Sequence, residues 1–249
     1  MPTSSESLGA SEKISWCARG ENVLQQALHE CLGVQWVVDE AAGRAEGPSP
    51  HRFLFAGITL TPGAHSDLVA DVDGDICDSF AAFTADALPS RTPEAGPIWM
   101  FRPPGPVTNQ GWTIPGLRLH SVSTDEELDR WEDVSFLANG GERESAGELH
   151  PAGSQHDPRL RFFTAEIDGT TVGTGLAVLS PESVTISAVT VLPESRGRGI
   201  GRALTVAALE SAPELPAVLS ASELGLGVYK RLGFEELRRL RRWSRRESA

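Results

Sequence analysis

The chain has 249 residues, 40% of them hydrophobic and 22% charged, with a formal net charge of −12. No stretch approaches the roughly 20 apolar residues of a membrane span, and the acidity argues against a nucleic-acid partner while mildly favouring a cationic one such as an amine. Cys17, Cys31 and Cys77 show no ligand-like spacing, which fits reduced thiols in a cytoplasm, with no metal site and no disulfide framework.

Residues 1–19 read as a polar, flexible N-terminus, lacking the basic region and apolar core of a signal peptide. Residues 22–32 predict a helix with Val23, Leu24, Ala27, Leu28 and Cys31 on one face and Gly33 at its end. A strand is expected over 34–38, a loop over 41–50, a strand over 53–60, a helix over 76–87 and a short strand over 97–101. Asp71-Val72-Asp73-Gly74-Asp75 has the look of a calcium loop, but its register fails the EF-hand pattern. A turn with a helix N-cap is the better reading. The Pro- and Gly-rich stretch 102–116 is a connector, so the expected division is an N-terminal α/β domain over 20–115 and a second domain over 116–249.

The second half opens with a strand over 117–123. Thr124-Asp125-Glu126-Glu127 is a capping box for a helix to about residue 138, which Asn139-Gly140-Gly141 stops. A long polar loop over 142–159 carries His150 and His156. Three strands follow, at 161–167, 172–179 and 184–191, with Asp168-Gly169 as a hairpin turn between the first two. Six arginines within 237–246 read as a solvated sheet edge that blocks strand addition. A hold on an acidic partner is the competing reading.

The most specific signal is the run from Val189 through Thr190, Val191, Leu192 and Pro193 to Arg196-Gly197-Arg198-Gly199-Ile200-Gly201-Arg202. A β-branched strand enters a glycine-rich loop that opens a helix. Glycines remove the side chains that would bar close approach, and the free N–H groups of a helix start attract a phosphate. No lysine follows, so this is no Walker loop, and the glycine spacing misses the dinucleotide fingerprint. Downstream, Leu219-Ser220-Ala221-Ser222 and Gly225 precede Val228-Tyr229-Lys230-Arg231-Leu232-Gly233-Phe234. Tyr229 is the sole tyrosine, and its phenol can give a proton to a departing thiolate.

Both blocks resemble the GNAT acyltransferase superfamily. Arg196, Gly199 and Gly201 fill its acyl-CoA loop pattern, and the Tyr229 block looks like its later strand, helix and Tyr-x-x-Leu-Gly-Phe ending. The resemblance implies an α+β fold, with a central mixed sheet flanked by helices in the C-terminal half. The smaller first half is either a degenerate GNAT-like half or an unrelated cap over the acceptor pocket. It also implies an N-acyltransferase moving an acetyl or short acyl group from acetyl-CoA or another acyl-CoA to a small amine or amino acid. The alternatives are a non-catalytic acyl-CoA sensor and a protein acetyltransferase. Cofactor contacts are expected from Val189, Thr190, Val191, Arg196, Gly197, Arg198, Gly199, Ile200, Gly201, Arg202, Ser222 and Tyr229, with Tyr229 as proton donor. The strand before the loop holds no carboxylate, so the base is sought in Glu166, His150, His156 or a water near Ser187. The partners implied are a small-molecule amine, no nucleic acid and no membrane, with a homodimer left open.

Overall fold

A computed structural model of the chain describes residues 9–107 and 113–246. Helix α1 (Ala10–Cys31) buries Ile14, Cys17, Ala18, Leu24, Ala27 and Leu28 along one face and ends ahead of Gly33 at φ 77°. It starts far ahead of the expected residue 22. Ile14, Cys17 and Ala18 extend the apolar face backward, so residues 10–19, expected to be flexible, are helix; residues 1–8 lie outside the described residues.

Five strands follow: β1 (Trp36–Val38), β2 (Ala42–Ala45), β3 (Phe55–Thr59), β4 (Asp75–Asp78) and β5 (Arg91–Arg102). Strand β2 falls in the expected loop. Its Gly43 lies where a Cβ would meet Trp36 Nε1 at 2.8 Å, so a residue that looked like a breaker permits close packing. The segment 76–87 is strand and turns, not helix. Ile76 and Cys77 are buried in the sheet, and Asp78 then accepts the amides of Ala82 and Phe83, each at 3.0 Å, turning the chain. Part of the 102–116 connector, residues 108–112, lies outside the described residues.

The second half runs β6 (Leu117–Ser121), α2 (Asp125–Ala138), β7 (Leu160–Ile167), β8 (Thr170–Leu179), β9 (Val184–Val191), α3 (Ile200–Leu209), β10 (Ala217–Ala221), α4 (Leu226–Arg231) and β11 (Glu235–Arg245). The eleven strands of the described residues join one mixed sheet in the order β1-β2-β3-β4-β11-β5-β10-β9-β8-β7-β6. Strand β5, from the first half, lies antiparallel between β10 and β11 and ties both halves into one sheet.

The arginine-rich β11 is therefore no edge; it lies between β4 and β5. Its arginines meet acids and carbonyls of the same chain. Arg242 pairs with Asp75, Arg245 with Asp73 at 3.2 Å and Arg239 with Glu223, while Arg241 Nη1 donates to the Phe83 carbonyl at 2.6 Å. Two aspartates of the calcium-like run, Asp73 and Asp75, thus serve as ion-pair partners, on a turn leading into a strand rather than a helix. No helix among the described residues is long and apolar enough to cross a membrane.

Candidate active site

The site forms where two neighbouring strands part. Strands β9 and β10 run parallel and pair at Val184, Thr185 and Ile186, then separate, although β9 continues to Val191. A bulge marks the parting. Across β8 and β9 the register jumps from Thr174↔Thr190 to Leu176↔Ser187. Ala188 takes φ 48°, a left-handed conformation that costs a residue with a Cβ on the order of 1 kcal/mol or more. The buried Thr174 holds the bulge in place, its Oγ1 donating to the Ala188 carbonyl at 3.1 Å and lying 2.7 Å from Thr190 Oγ1.

One cavity, of about 560 Å³, lies on the C-terminal side of the bulge. Val189, Thr190, Val191, Arg196, Gly197, Gly199, Ile200, Gly201, Arg202, Ser222 and Tyr229 all line it, so all but one of the residues expected from sequence to contact a cofactor come together. Gly197 (φ 75°) and Gly199 (φ 83°) supply the left-handed turns that launch α3. The amides of residues 197–201 donate to no acceptor among the described residues, and the first turn-closing bond runs from Ala203 N to the Gly199 carbonyl. Unclaimed amides at the positive end of a helix can accept an anion of diphosphate size.

The arginines divide their tasks. Arg196 donates through Nε to the Val191 carbonyl (3.0 Å) and through Nη2 to the Ala138 carbonyl (2.6 Å), so its guanidinium clamps the loop to β9 and to the end of α2. Arg202 lines the cavity. Arg198, the exception among the expected contacts, is exposed and lies outside the lining.

Tyr229 packs edge-on against Phe234, with ring centroids 5.9 Å apart. Gly225 makes room for it: a Cβ there would come within 2.7 Å of Tyr229 Cε2. The Tyr229 hydroxyl forms no hydrogen bond among the described residues, and burial pushes its pKa up to about 12. The phenol therefore keeps its proton across neutral pH.

A second cavity, of about 580 Å³, lies on the other side of the bulge and shares Asn139 with the first. Ser187, Ala188 and Ser220 form its floor. Its walls come from α1, residues 52–55, the end of α2, Leu149 and His150, with Pro97 and Arg242 at the side. His150 is the one sequence-suggested base that lines it. The His150 ring stands edge-on to Trp131 and Phe162, with its Nδ1 3.2 Å from Glu132 Oε1. Ser187 lines it too. His156 is exposed beside Gln155 and lines neither cavity.

Glu166 is separated from both cavities. It sits near the end of β7, with β8 between it and β9, paired with His120 at 3.2 Å over a hollow formed with Gly116, Arg118, Asp168 and Gly169. Sequence reading missed Glu21, Arg52 and Arg242, which line the second cavity. The available signal was weak. Glu21 lies three and seven residues before Leu24 and Leu28, on the same helix face.

Residues 158–236 match the family model of an acetyltransferase (GNAT) domain. Among solved structures, a GCN5-related N-acetyltransferase from Kribbella flavida is 17% identical, with 93% of this chain and 96% of that one covered at a TM-score of 0.64. A GCN5-related N-acetyltransferase-like protein from Streptococcus suis 89/1591 is 13% identical over 96% and 100% of the two chains, at a TM-score of 0.51. A conserved protein of unknown function from Staphylococcus epidermidis ATCC 12228 is 13% identical over 85% and 93%, at 0.56. These likenesses span both halves and concern the fold. Among curated proteins no relative is recognisable by sequence.

Proposed function

Starting from a chain that carries a GNAT acetyltransferase domain at residues 158–236, we propose that it moves an acetyl or short acyl group from acyl-CoA to the amine of a small molecule. The observation that supports this most is the meeting of two cavities at the β9–β10 gap. One has the unclaimed amides of residues 197–201 at its end, and the other is walled in part by the first half of the chain.

The residues fit acyl-CoA. The diphosphate suits the amides of residues 197–201, and the pantetheine arm suits the β9 edge left unpaired beyond Ile186. A thioester at the bulge would lie between the cavities, within reach of backbone N–H groups that favour a developing oxyanion. Tyr229 then supplies the proton for the departing thiolate. Most of the remaining acceleration is positioning of amine and thioester. A cavity walled by several separate chain segments favours a small acceptor over a protein side chain. The free thiols of Cys17, Cys31 and Cys77 suit a reducing compartment such as the cytoplasm.

The test has two parts. Acetyl-CoA at 100 times its dissociation constant should stabilise the protein by about 2.7 kcal/mol in a thermal melt. CoA release should then be followed over a panel of acyl donors and amines. Absence of any stabilisation rejects the cofactor reading, and binding without turnover on any amine rejects the enzymatic one.

A further inference from the structure

The acceptor cavity holds a buried carboxylate. Glu21 follows Gly20, the point where α1 presses on the sheet: a Cβ on Gly20 would come within 2.4 Å of Thr185 Oγ1 on β9 and 2.6 Å of Val218 Cγ2 on β10. Thr185 and Val218 are register partners, one step before the last β9–β10 pair, Ile186↔Leu219. Glu21, Leu24 and Gln25 therefore lie over the place where the strands part, across the cavity from Ser187, Ala188 and Ser220.

Glu21 is 6% exposed. Its Oε1 accepts a hydrogen bond from Gln25 Nε2 at 2.8 Å. Its Oε2 has no hydrogen bond or ion pair among the described residues. Among the lining residues it is the sole carboxylate. The other titratable groups around it are the Cys17 thiol of α1 and the Cys77 thiol of β4, both kept protonated by burial, His150 on the far wall, Arg52 at the side and Arg242, which is engaged with Asp75. No cation among the described residues is paired with the acid, and a buried unpaired carboxylate is costly to the fold. Such a group in a cleft marks a functional position.

We propose that Glu21, carried by the first half of the chain, is the general base that takes the proton from the acceptor's ammonium; this rests on reading the chain as an amine acyltransferase. Burial raises the Glu21 carboxyl above its ordinary value, with the Gln25 hydrogen bond opposing, which moves it toward the acidity of a working base. The ammonium gives one proton to the Glu21 carboxylate. The neutral nitrogen attacks the thioester carbonyl carbon, the C–N bond forms and the C–S bond breaks. The second nitrogen proton replaces the one Tyr229 gives to sulfur, and Glu21 returns its proton to solvent. The products are an amide, free CoA and one proton.

The experiment compares wild type with Glu21→Gln on two acceptors: the aliphatic amine that wild type turns over best, protonated at neutral pH, and aniline, neutral at that pH. The expected result is a loss of about 10²-fold or more in kcat/KM for the aliphatic amine, a much smaller loss for aniline, and disappearance of the acid limb of the kcat–pH profile. The acyl-CoA dissociation constant, unchanged within about twofold, shows that the variant is folded. Glu21→Asp should recover part of the lost rate with the limb restored. Equal losses on both amines make Glu21 structural and overturn the proposal, as does a variant within threefold of wild type with the same pH profile. Those two results leave amine acylation standing, whereas a wild type that acylates no amine removes both readings.

Discussion

Glu132 offers the sharpest test of how the acceptor wall is held. Its side chain is fully buried on α2, yet it gathers donors from the long polar loop. The amides of Leu149 (2.9 Å), His150 (2.7 Å) and Glu148 (3.2 Å) donate to it, as does Arg143 Nη1 at 3.2 Å, and His150 Nδ1 lies 3.2 Å away. Burial alone would raise its pKa, but the hydrogen bonds from His150 and the amides outweigh burial and bring it down from 4.5 to about 2. Glu132→Gln keeps the shape and places an NH2 against groups that are themselves donors. A depression of that size corresponds to about 3 kcal/mol, the same order as leaving a buried network half satisfied. At about 2–4 °C per kcal/mol for a chain of this size, the melting temperature should fall by about 6–12 °C at pH 7. Because the folded-state pKa lies below the unfolded one, this contribution is present above about pH 4.5 and is lost as pH falls toward 2. The gap between wild type and variant should therefore narrow on acidification. Loosening of Leu149 and His150 should also raise KM for the acceptor while leaving acyl-CoA affinity unchanged. A shift under 2 °C, or a gap that stays constant from pH 6 to pH 3, would refute the reasoning.

Tyr229→Phe keeps the ring packing on Phe234 and removes the proton, so kcat should drop by about 10²-fold with little change in acyl-CoA affinity, measured by steady-state kinetics and titration. Gly199→Ala forces a Cβ into φ 83°, at a cost of about 1–2 kcal/mol, and should weaken acyl-CoA binding. Gly201→Ala should fold as wild type does, with a melting temperature within about 2 °C in a thermal melt, since its Cβ would lie no closer than 3.8 Å to any side chain packed around it. Gly20→Ala gains about 1 kcal/mol of helix propensity but drives a methyl against Thr185 and Val218. Overpacking of about 1–3 kcal/mol or more should win, lowering the melting temperature and raising acceptor KM together.

Legibility in the sequence followed how local each signal was. The Thr124–Glu127 capping box forms with both reciprocal bonds, the Asp168-Gly169 turn takes φ 51° and 78°, and the glycine loop opens α3 at Gly199. Each depends on residues a few positions apart. The first half obeys longer-range demands. Ile76, Phe80 and Phe83 repeat at helical spacing, yet Ile76 pairs in β4, Phe80 sits in the turn that follows it, and Phe83 lies in irregular chain with its amide donating to Asp78. The arginines of β11 read as a solvated edge because their partners, Asp73 and Asp75, lie some 170 residues earlier in the chain. Glu21 was hidden for the same reason: a carboxylate on a helix looks like a solvated face until the opposite wall is in place.

The insertion of β5 explains why the site can exist at the β9–β10 seam. A strand that leaves its neighbour exposes a row of backbone N–H and C=O groups, which is costly when buried. Strand β10 nonetheless stays anchored in the sheet, because β5 pairs with its other edge along its whole length, from Ala217↔Arg102 to Ala221↔Ile98. Arg102 then fastens the end of β5, donating through Nε to the Leu232 carbonyl just after α4 at 2.9 Å. With β10 held from the far side, β9 is free to diverge at the Ala188 bulge and leave a gap. The first half of the chain thus contributes twice to one site: β5 stabilises the opening, and α1 lies across it with Glu21 facing the acceptor cavity. Changes in α1 or residues 52–55 can reshape the second cavity without touching the amides of residues 197–201, so on the proposed reading acceptor choice and cofactor grip are physically separable.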